Sequence, residues 1–548
     1  MFDVGGWVLD VLLFHIMPSS VLPPPSDSSD AGPERGRWWG LGLAVVLLLL
    51  AAHFARGLDR PWVEEDNWYG AVYAQAAHNN LRAGMRAGGV PATLYFGPLP
   101  IPSEAYYVHH PTLLPVLVTA SFALFGESER TTRFVPIAAS LASVLVLWFL
   151  LRHAAGARAA TLGAAIFAAV PMELHYGDMV DFEPVLTLWM LALLACLAQW
   201  KDTGRRRWAA GATLFAALAL WTDWPGYLLV LSAAAWLLFF APGAMRSLGW
   251  LYIALVGCAG MLFLWQIRSV NSAAWTDLWT ALQMRLGNAI PTSTAPIADN
   301  APRFTWGDWL RTVTGDLQRN YLTLTWLFVG LGIARLLPKR HRIDGSRWLG
   351  LAATLLTIAG ALYVVLLRNE SFIHDFAPFY LIGTVAILAG LGLDGICRAS
   401  KKLSPLASFA IQGAVVVVVV ALGTLGLRSS EEMRSPYLIL DGVAEEPAQL
   451  IPQLGEVLKA AFPPNATVFA NFDPYGSALT YYSQRPILTN LLTAEDWRAN
   501  LAQEHPAGGV VWLGARNAQE ILASLPGETR RVEVAGFAFA LWHAPSSS

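Results

Sequence analysis

The sequence predicts an α-helical polytopic membrane protein of about eleven transmembrane helices, with a small C-terminal α/β domain outside the membrane. Three observations carry that prediction. The 548 residues are 55% hydrophobic and 14% charged, with a mean hydropathy of +0.45, too apolar for an ordinary soluble protein. Apolar stretches recur at about 38–55, 134–151, 157–173, 182–200, 208–222, 225–241, 248–266, 321–337, 348–367, 376–396 and 403–427. Most are near the ~20 residues that carry a helix across hydrocarbon. Charge is sorted between the connections. Arg35/Arg37, Arg152/Arg158, Lys201/Arg205/Arg206/Arg207, Arg246, Lys339/Arg340/Arg342/Arg347 and Arg398/Lys401/Lys402 fall on alternate ones, the pattern of cytoplasmic loops.

Residues 1–36 read as a cytoplasmic tail. Gly6–Met17 is apolar, but Asp3 and Asp10 stand where a secretory signal needs positive charge. Residues 37–428 form the membrane part. Its first external connection, 57–133, holds an amphipathic stretch (Tyr69, Val72, Tyr73, Ala76, Ala77, Leu81) that suits a helix on the membrane surface. Residues 111–126 are apolar but short, with Pro111 and Pro115 in the first turn. At that length they read as interfacial or re-entrant rather than spanning; counted as a span, they would put Asp66 and Asp181 on opposite sides. A second external connection, 267–320, carries Trp275, Trp279, Trp306 and Trp309, residues that favour the membrane–water boundary and also stack on sugar rings. From 429 to 548 the spans stop. Short β-like runs (467–471, 509–513, 531–542) alternate with helical ones (452–461, 493–503, 517–524), which predicts an external α/β domain.

Composition narrows the chemistry. A net charge of −2 gives no basic face for nucleic acid. Four of the five lysines lie in predicted cytoplasmic loops and the fifth, Lys459, in the C-terminal domain. A cation serving chemistry at the outer end of the spans is therefore arginine, protonated histidine or a metal. Cys196, Cys258 and Cys397 sit in or beside spans without C-x-x-C spacing, which suits packing rather than disulfides.

The candidate chemistry lies on the other set of connections. Glu64-Glu65-Asp66 follows the first span, and a carboxylate there can act as general base toward a hydroxyl. His109-His110-Pro111 can hydrogen-bond a phosphate or ligate a metal. Glu173, His175, Asp178, Asp181 and Glu183 gather where one span ends and the next begins, and ionisable groups at membrane depth tend to be functional. Arg368 and His374 lie at a later span end, placed to neutralise a phosphate.

Taken in order, these residues resemble the GT-C polytopic glycosyltransferases, in particular the bacterial branch related to protein O-mannosyltransferases and aminoarabinose transferases. An acidic pair (Glu65-Asp66) follows the first span. Ala77-His78-Asn79-Asn80-Leu81-Arg82-Ala83-Gly84 is similar to the family's "A-x-N-L-x-x-G" helix, and His109-His110-Pro111-Thr112-Leu113 to "H-P-P-L". Leu124-Phe125-Gly126-Glu127-Ser128-Glu129 with Arg133 is similar to "L-F-G-x-S-E-x-x-x-R", and His374-Asp375-Phe376 to a later "H-x-Y/F" element. Thr112 replaces the second proline, and Asp223 stands where relatives often carry lysine.

The resemblance implies a polyprenyl-phosphate-linked sugar donor and an acceptor hydroxyl on a lipid, protein or polysaccharide, with inversion at the anomeric carbon. By it, Asp66 (or Glu65) is the catalytic base. Asp178, Asp181 and Glu183 position the acceptor or a divalent metal ion, which the sequence leaves open. His109, His110, Arg368 and His374 bind the donor phosphate. The site and the C-terminal domain would face the extracytoplasmic side of a bacterial inner or plasma membrane. Two other readings remain at this stage: a transporter or flippase for a lipid-linked sugar, and a non-catalytic relative in envelope glycan assembly. The absence of an internal repeat and the clustering of acids at span ends favour the enzyme.

Overall fold

The computed structural model describes residues 33–62, 68–85, 89–241, 243–287, 304–336, 344–433, 449–472, 476–489, 491–504 and 506–545. Most of the tail lies outside them, and so do Glu65 and Asp66.

All eleven apolar stretches are helical. Among the described residues, seven helices are long and apolar enough to cross a membrane: Trp38–Ala55, Glu129–Ala155, Phe182–Thr203, Arg246–Val270, Arg347–Leu366, Ala377–Ser400 and Pro405–Met433. The other four stretches are the shorter helices Ala157–Ala169, Arg206–Thr222, Trp224–Phe239 and Thr323–Leu336. Lipid offers no hydrogen bonds, so a spanning segment must satisfy its backbone internally, and apolar composition enforces the helix. By these helices the chain is a multi-pass membrane protein. The last helix runs to Met433, beyond the boundary read at 428.

Small residues set the closest approaches in the bundle. A Cβ on Gly332 would fall 2.0 Å from the Leu388 carbonyl oxygen, and one on Gly392 2.2 Å from that of Phe328. The Thr323–Leu336 and Ile382–Ser400 helices therefore touch backbone to backbone, as small-residue packing permits. Both obstacles are main-chain atoms that cannot rotate away. Gly332→Val is expected to push these helices apart at a cost of about 1–3 kcal/mol or more. A clear drop in the unfolding temperature of the purified protein checks this; an unchanged midpoint would refute it.

Leu113–Phe125 is a helix of 13 residues, about 20 Å long at 1.5 Å per residue and short of the ~30 Å hydrocarbon core. It does not alter the parity of the bundle. Arg60, just past the first helix, donates to Asp178 at 3.3 Å, and Tyr69 lies 5.8 Å edge-on from Phe376. The start of the 57–133 connection thus lies at the same end as Asp178 and the segment after Leu366.

The opposite end is basic. Asp394, 1% exposed, receives Arg158 at 2.7 Å, Arg335 at 2.7 Å and Arg398 at 2.8 Å. One carboxylate ties together the Ala157–Ala169, Thr323–Leu336 and Ile382–Ser400 helices. The two-ended charge pattern of the sequence is thus a feature of the folded bundle.

The C-terminal region contains a five-stranded sheet, order β2-β1-β3-β5-β4, with β1 Val468–Ala470, β2 Ile487–Leu488, β3 Gly508–Trp512, β4 Glu528–Val534 and β5 Phe537–His543. β2, β1 and β3 are parallel; β3, β5 and β4 are antiparallel. The run 531–542, expected as one strand, is a hairpin. Ala535 (φ 50°) and Gly536 (φ 86°) make its turn, with the two positive φ angles of a type I′ turn.

The Trp68–Ala83 helix corrects an expectation. Its apolar face does not meet lipid, since Gly70–Ala77, Asn79 and Asn80 are all buried within the protein. Ala71, Tyr73, Ala74 and Ala77 share a core with Leu114 and Phe122 on one side and with Leu450, Leu454, Ala478 and Leu479 on the other. The C-terminal domain covers the face that was expected to meet lipid.

Candidate active site

Four connections at the acidic end converge. His110 precedes the Leu113–Phe125 helix, and Asp181 caps Phe182–Thr203, accepting the Phe182 N–H at 2.9 Å. Asp223 sits between Arg206–Thr222 and Trp224–Phe239, and Glu370 lies in the short Arg368–Ile373 helix. Buried carboxyls are costly, so each should find a partner. Asp223, 1% exposed, takes His110 Nδ1 at 2.8 Å on one oxygen and the Tyr380 hydroxyl at 2.8 Å on the other. Tyr380 also lies 3.4 Å from Glu183.

Arg285 closes the network. At the end of the Ala274–Arg285 helix, it donates to His110 Nε2 at 2.7 Å and to Glu370 Oε2 at 3.2 Å. Because Nε2 accepts from a guanidinium, Nδ1 carries the proton and donates to Asp223. His110 is therefore a neutral bridge between an acid and a cation. Its ring is stacked on Phe182 (4.6 Å between centroids, 7° between planes) and faces Tyr107 at 5.8 Å. Burial and the Arg285 charge both lower its pKa, and Asp223 opposes them.

The same forces act on the neighbouring groups. Burial, then Arg285 and His110, lowers His109 to about 3. Burial pushes Asp181 well above the ordinary carboxylate range; the Phe182 N–H opposes this, and the Asp223 charge adds to it. For Arg285, burial is the largest influence and disfavours the charge, but Glu370, Tyr107, Tyr363 and Asp223 together outweigh it and raise its pKa. Arg368 donates to the Leu286 carbonyl at 3.1 Å, with its guanidinium 4.3 Å above Trp306. Two guanidiniums thus flank the C-terminal end of the Ala274–Arg285 helix, where a cation is also favoured by the helix dipole.

A histidine with a depressed folded-state pKa stabilises the fold while neutral. That contribution is complete above pH 6.5 and is lost as pH falls toward 3. His109→Gln should therefore flatten the acid-side loss of thermal stability in that window, by at most roughly 5 kcal/mol at about 1.4 kcal/mol per unit. An unchanged acid limb in Tm against pH would rule this out.

The sequence candidates separate into groups. His110 and Glu183 join the network with Asp223, Asp181 lies within reach of the Asp223 charge, and His374 stands 3.7 Å from Glu370 and beside Tyr69. Asp178 turns to Arg60 instead. The His109 carbonyl accepts from the Trp224 indole at 3.2 Å. Glu65 and Asp66 fall in the segment outside the described residues, between Trp62 and Trp68. Sequence reading missed Arg285, Glu370 and Tyr380. The signal for Arg285 was weak: one arginine ending an amphipathic, tryptophan-bearing helix.

A divalent metal finds no ready cage here. Among the described residues no three His, Cys, Asp or Glu side chains group in a metal-holding arrangement, and both Asp223 oxygens are spent on hydrogen bonds.

The fold is similar to that of solved membrane glycosyltransferases, the GT-C-like architecture that the resemblance in the sequence implied. Residues 109–265 match the family model described as dolichyl-phosphate-mannose-protein mannosyltransferase. Among solved structures, ArnT from Cupriavidus metallidurans in the apo state is similar with a TM-score of 0.62 at 14% identity, over 93% of this chain and 98% of that one. The same protein bound to undecaprenyl phosphate gives 0.56 at 14% identity, with the same coverage. The Archaeoglobus fulgidus oligosaccharyltransferase in complex with Zn and sulfate gives 0.53 at 14% identity, over 90% of this chain and 72% of that one. Comparison with the curated proteins finds no match.

Proposed function

We propose that this protein is a glycosyltransferase that moves a sugar from a polyprenyl-phosphate donor to an acceptor hydroxyl at the extracytoplasmic face. The supporting observation is the network in which Arg285 is joined through His110 to Asp223 and directly to Glu370. It places a fixed cation beside buried carboxyls at one end of a GT-C bundle. Phosphate as a leaving group needs charge neutralisation more than protonation, and Arg285 and Arg368 supply it. The ArnT structure bound to undecaprenyl phosphate supports a donor of that class.

In the reaction, Asp66, with Glu65 as the alternative, takes the proton of the acceptor hydroxyl. The oxygen attacks the anomeric carbon as the bond to the phosphate oxygen breaks, so the configuration inverts and the lipid phosphate leaves as an anion. Asp181, whose pKa burial raises, orients the sugar by hydrogen bonding rather than acting as a base. Asp178 acts indirectly, holding Arg60 at the mouth of the loop that carries Asp66. His374 supports the phosphate from beside Glu370. His109 and His110, both neutral, contribute hydrogen bonds and orientation rather than charge. No step is routed through a metal ion.

The test is release of polyprenyl phosphate by purified protein from a panel of polyprenyl-phosphate monosaccharides, with and without added acceptors. General-base removal costs about 10²–10⁴-fold, so Asp66→Asn should lose at least that range's lower bound while still binding donor. Near-normal turnover in a folded Asp66→Asn protein would overturn the base assignment. No release from any donor would overturn the reaction itself.

A further inference from the structure

Away from this network, a small open cleft of about 130 Å³ lies between the Trp68–Ala83 helix and the C-terminal domain. Phe96 and Tyr481 supply aromatic faces; His78, Glu127, Lys459 and Gln484 supply donors and acceptors.

Both walls are held in place. Arg82 donates to the carbonyls of Gly97 at 3.0 Å and Tyr95 at 3.2 Å, which fixes the turn bearing Phe96. Across the cleft the buried Arg485 guanidinium donates to the carbonyls of Lys459 (2.9 Å), Phe462 (2.8 Å) and Gln484 (2.8 Å). Gln484 itself holds a left-handed φ of 51°. The Tyr482 hydroxyl spans the junction, accepting the Trp62 N–H at 3.0 Å and donating to Glu129 at 2.7 Å. At the floor, Gln75 donates to Asn79 and to the Tyr95 carbonyl.

The lining chemistry selects the ligand. The charged groups balance: His78 pairs with Glu127 at 2.9 Å, and Lys459 lies 3.9 Å from Glu456. A balanced site does not favour a polyanion, and alternating polar groups do not suit a lipid tail. Sugars match it, because a pyranose presents C–H faces to aromatic rings and hydroxyls to polar edges. His78 and Tyr69 lie on one helix nine residues apart, about 13 Å along its axis. Tyr69 stands at the catalytic end beside His374.

We propose that this cleft is a subsite for a carbohydrate chain, and that the acceptor is an oligo- or polysaccharide whose reacting end lies at the Arg285–His110 network. The assignment rests on the glycosyltransferase reading for its link to the acceptor. Its own evidence is the arrangement of Phe96, Tyr481, His78, Glu127 and Gln484 across the domain junction.

The experiment uses the full-length protein in lipid nanodiscs. Saturation-transfer NMR and calorimetry are run with neutral hexasaccharides of the gluco-, manno-, galacto-, arabino- and N-acetylglucosamino- series. At least one series should bind, and Tyr481→Ala and Phe96→Ala should each weaken it about tenfold, as loss of an aromatic platform implies. In the same variants, release of polyprenyl phosphate to water should be unchanged, which also shows that they fold. No binding by any series, or equal binding by wild type and both variants, would overturn the proposal. Binding in a wild type that turns over no donor would keep the carbohydrate subsite and remove the transferase reading instead.

Discussion

Arg285→Gln is expected to reduce transfer by roughly 10²–10³-fold, the usual loss when one preorganised charge partner of a developing anion is removed. The substitution keeps an amide near the Nε position but removes the charge and the guanidinium tip that reaches His110. Glu370 then loses its ion pair, and Asp223 keeps His110. The loss should appear mainly in kcat, because the phosphate gains charge as its bond to the sugar breaks. Arg285→Lys should recover part of it, since lysine restores the charge but not the fork that reaches two partners. Steady-state release of polyprenyl phosphate measures both. A glutamine variant with near-normal kcat/KM would mean that Arg285 only braces His110 and Glu370.

The second large effect lies at the other end of the bundle. Asp394→Asn leaves three guanidiniums around a buried neutral amide. Breaking a buried ion pair by removing one partner costs about 3–5 kcal/mol, and here one carboxylate serves Arg158, Arg335 and Arg398. Unfolding in a denaturing detergent series should show a lower midpoint, with Asp394→Glu intermediate. The protein that remains folded should keep its kcat, because Asp394 lies at the opposite end from Arg285. An unchanged midpoint would show that the arginines snorkel into water at no cost.

How far the sequence revealed this molecule depended on the range of the force involved. The apolar stretches were legible because membrane insertion is decided segment by segment. The two-sided charge pattern was legible because the groups that converge at the site lie at span ends. Asp181, Glu183 and His110 were found that way. Arg285 was not, because its meaning comes from His110, 175 positions away. Glu370 passed as part of a polar loop for the same reason. The strand run at 531–542 concealed a turn because alanine holds the first left-handed position, where asparagine or glycine would have announced it. The burial of the Trp68–Ala83 helix was likewise hidden. Its small residues fit a membrane surface as well as a protein core, and only the distant C-terminal domain decides between them.

The hydrogen bond from Trp62 to Tyr482 joins residues 420 positions apart, and that from Tyr482 to Glu129 joins residues 353 apart. A ribosome adding about 5–20 residues per second needs roughly 20–80 s between making the first partner and the last. Through that interval Trp62, Leu114 and Phe122 await the apolar partners that will bury them. Trp62, which precedes the segment bearing Glu65 and Asp66, gains its Tyr482 partner only once residue 482 is made. A nascent chain stalled before residue 449 would hold the arginine–imidazole pair but not the cover over the helix leading into it. Covering of the Trp68–Ala83 helix is thereby timed by synthesis of the α/β domain.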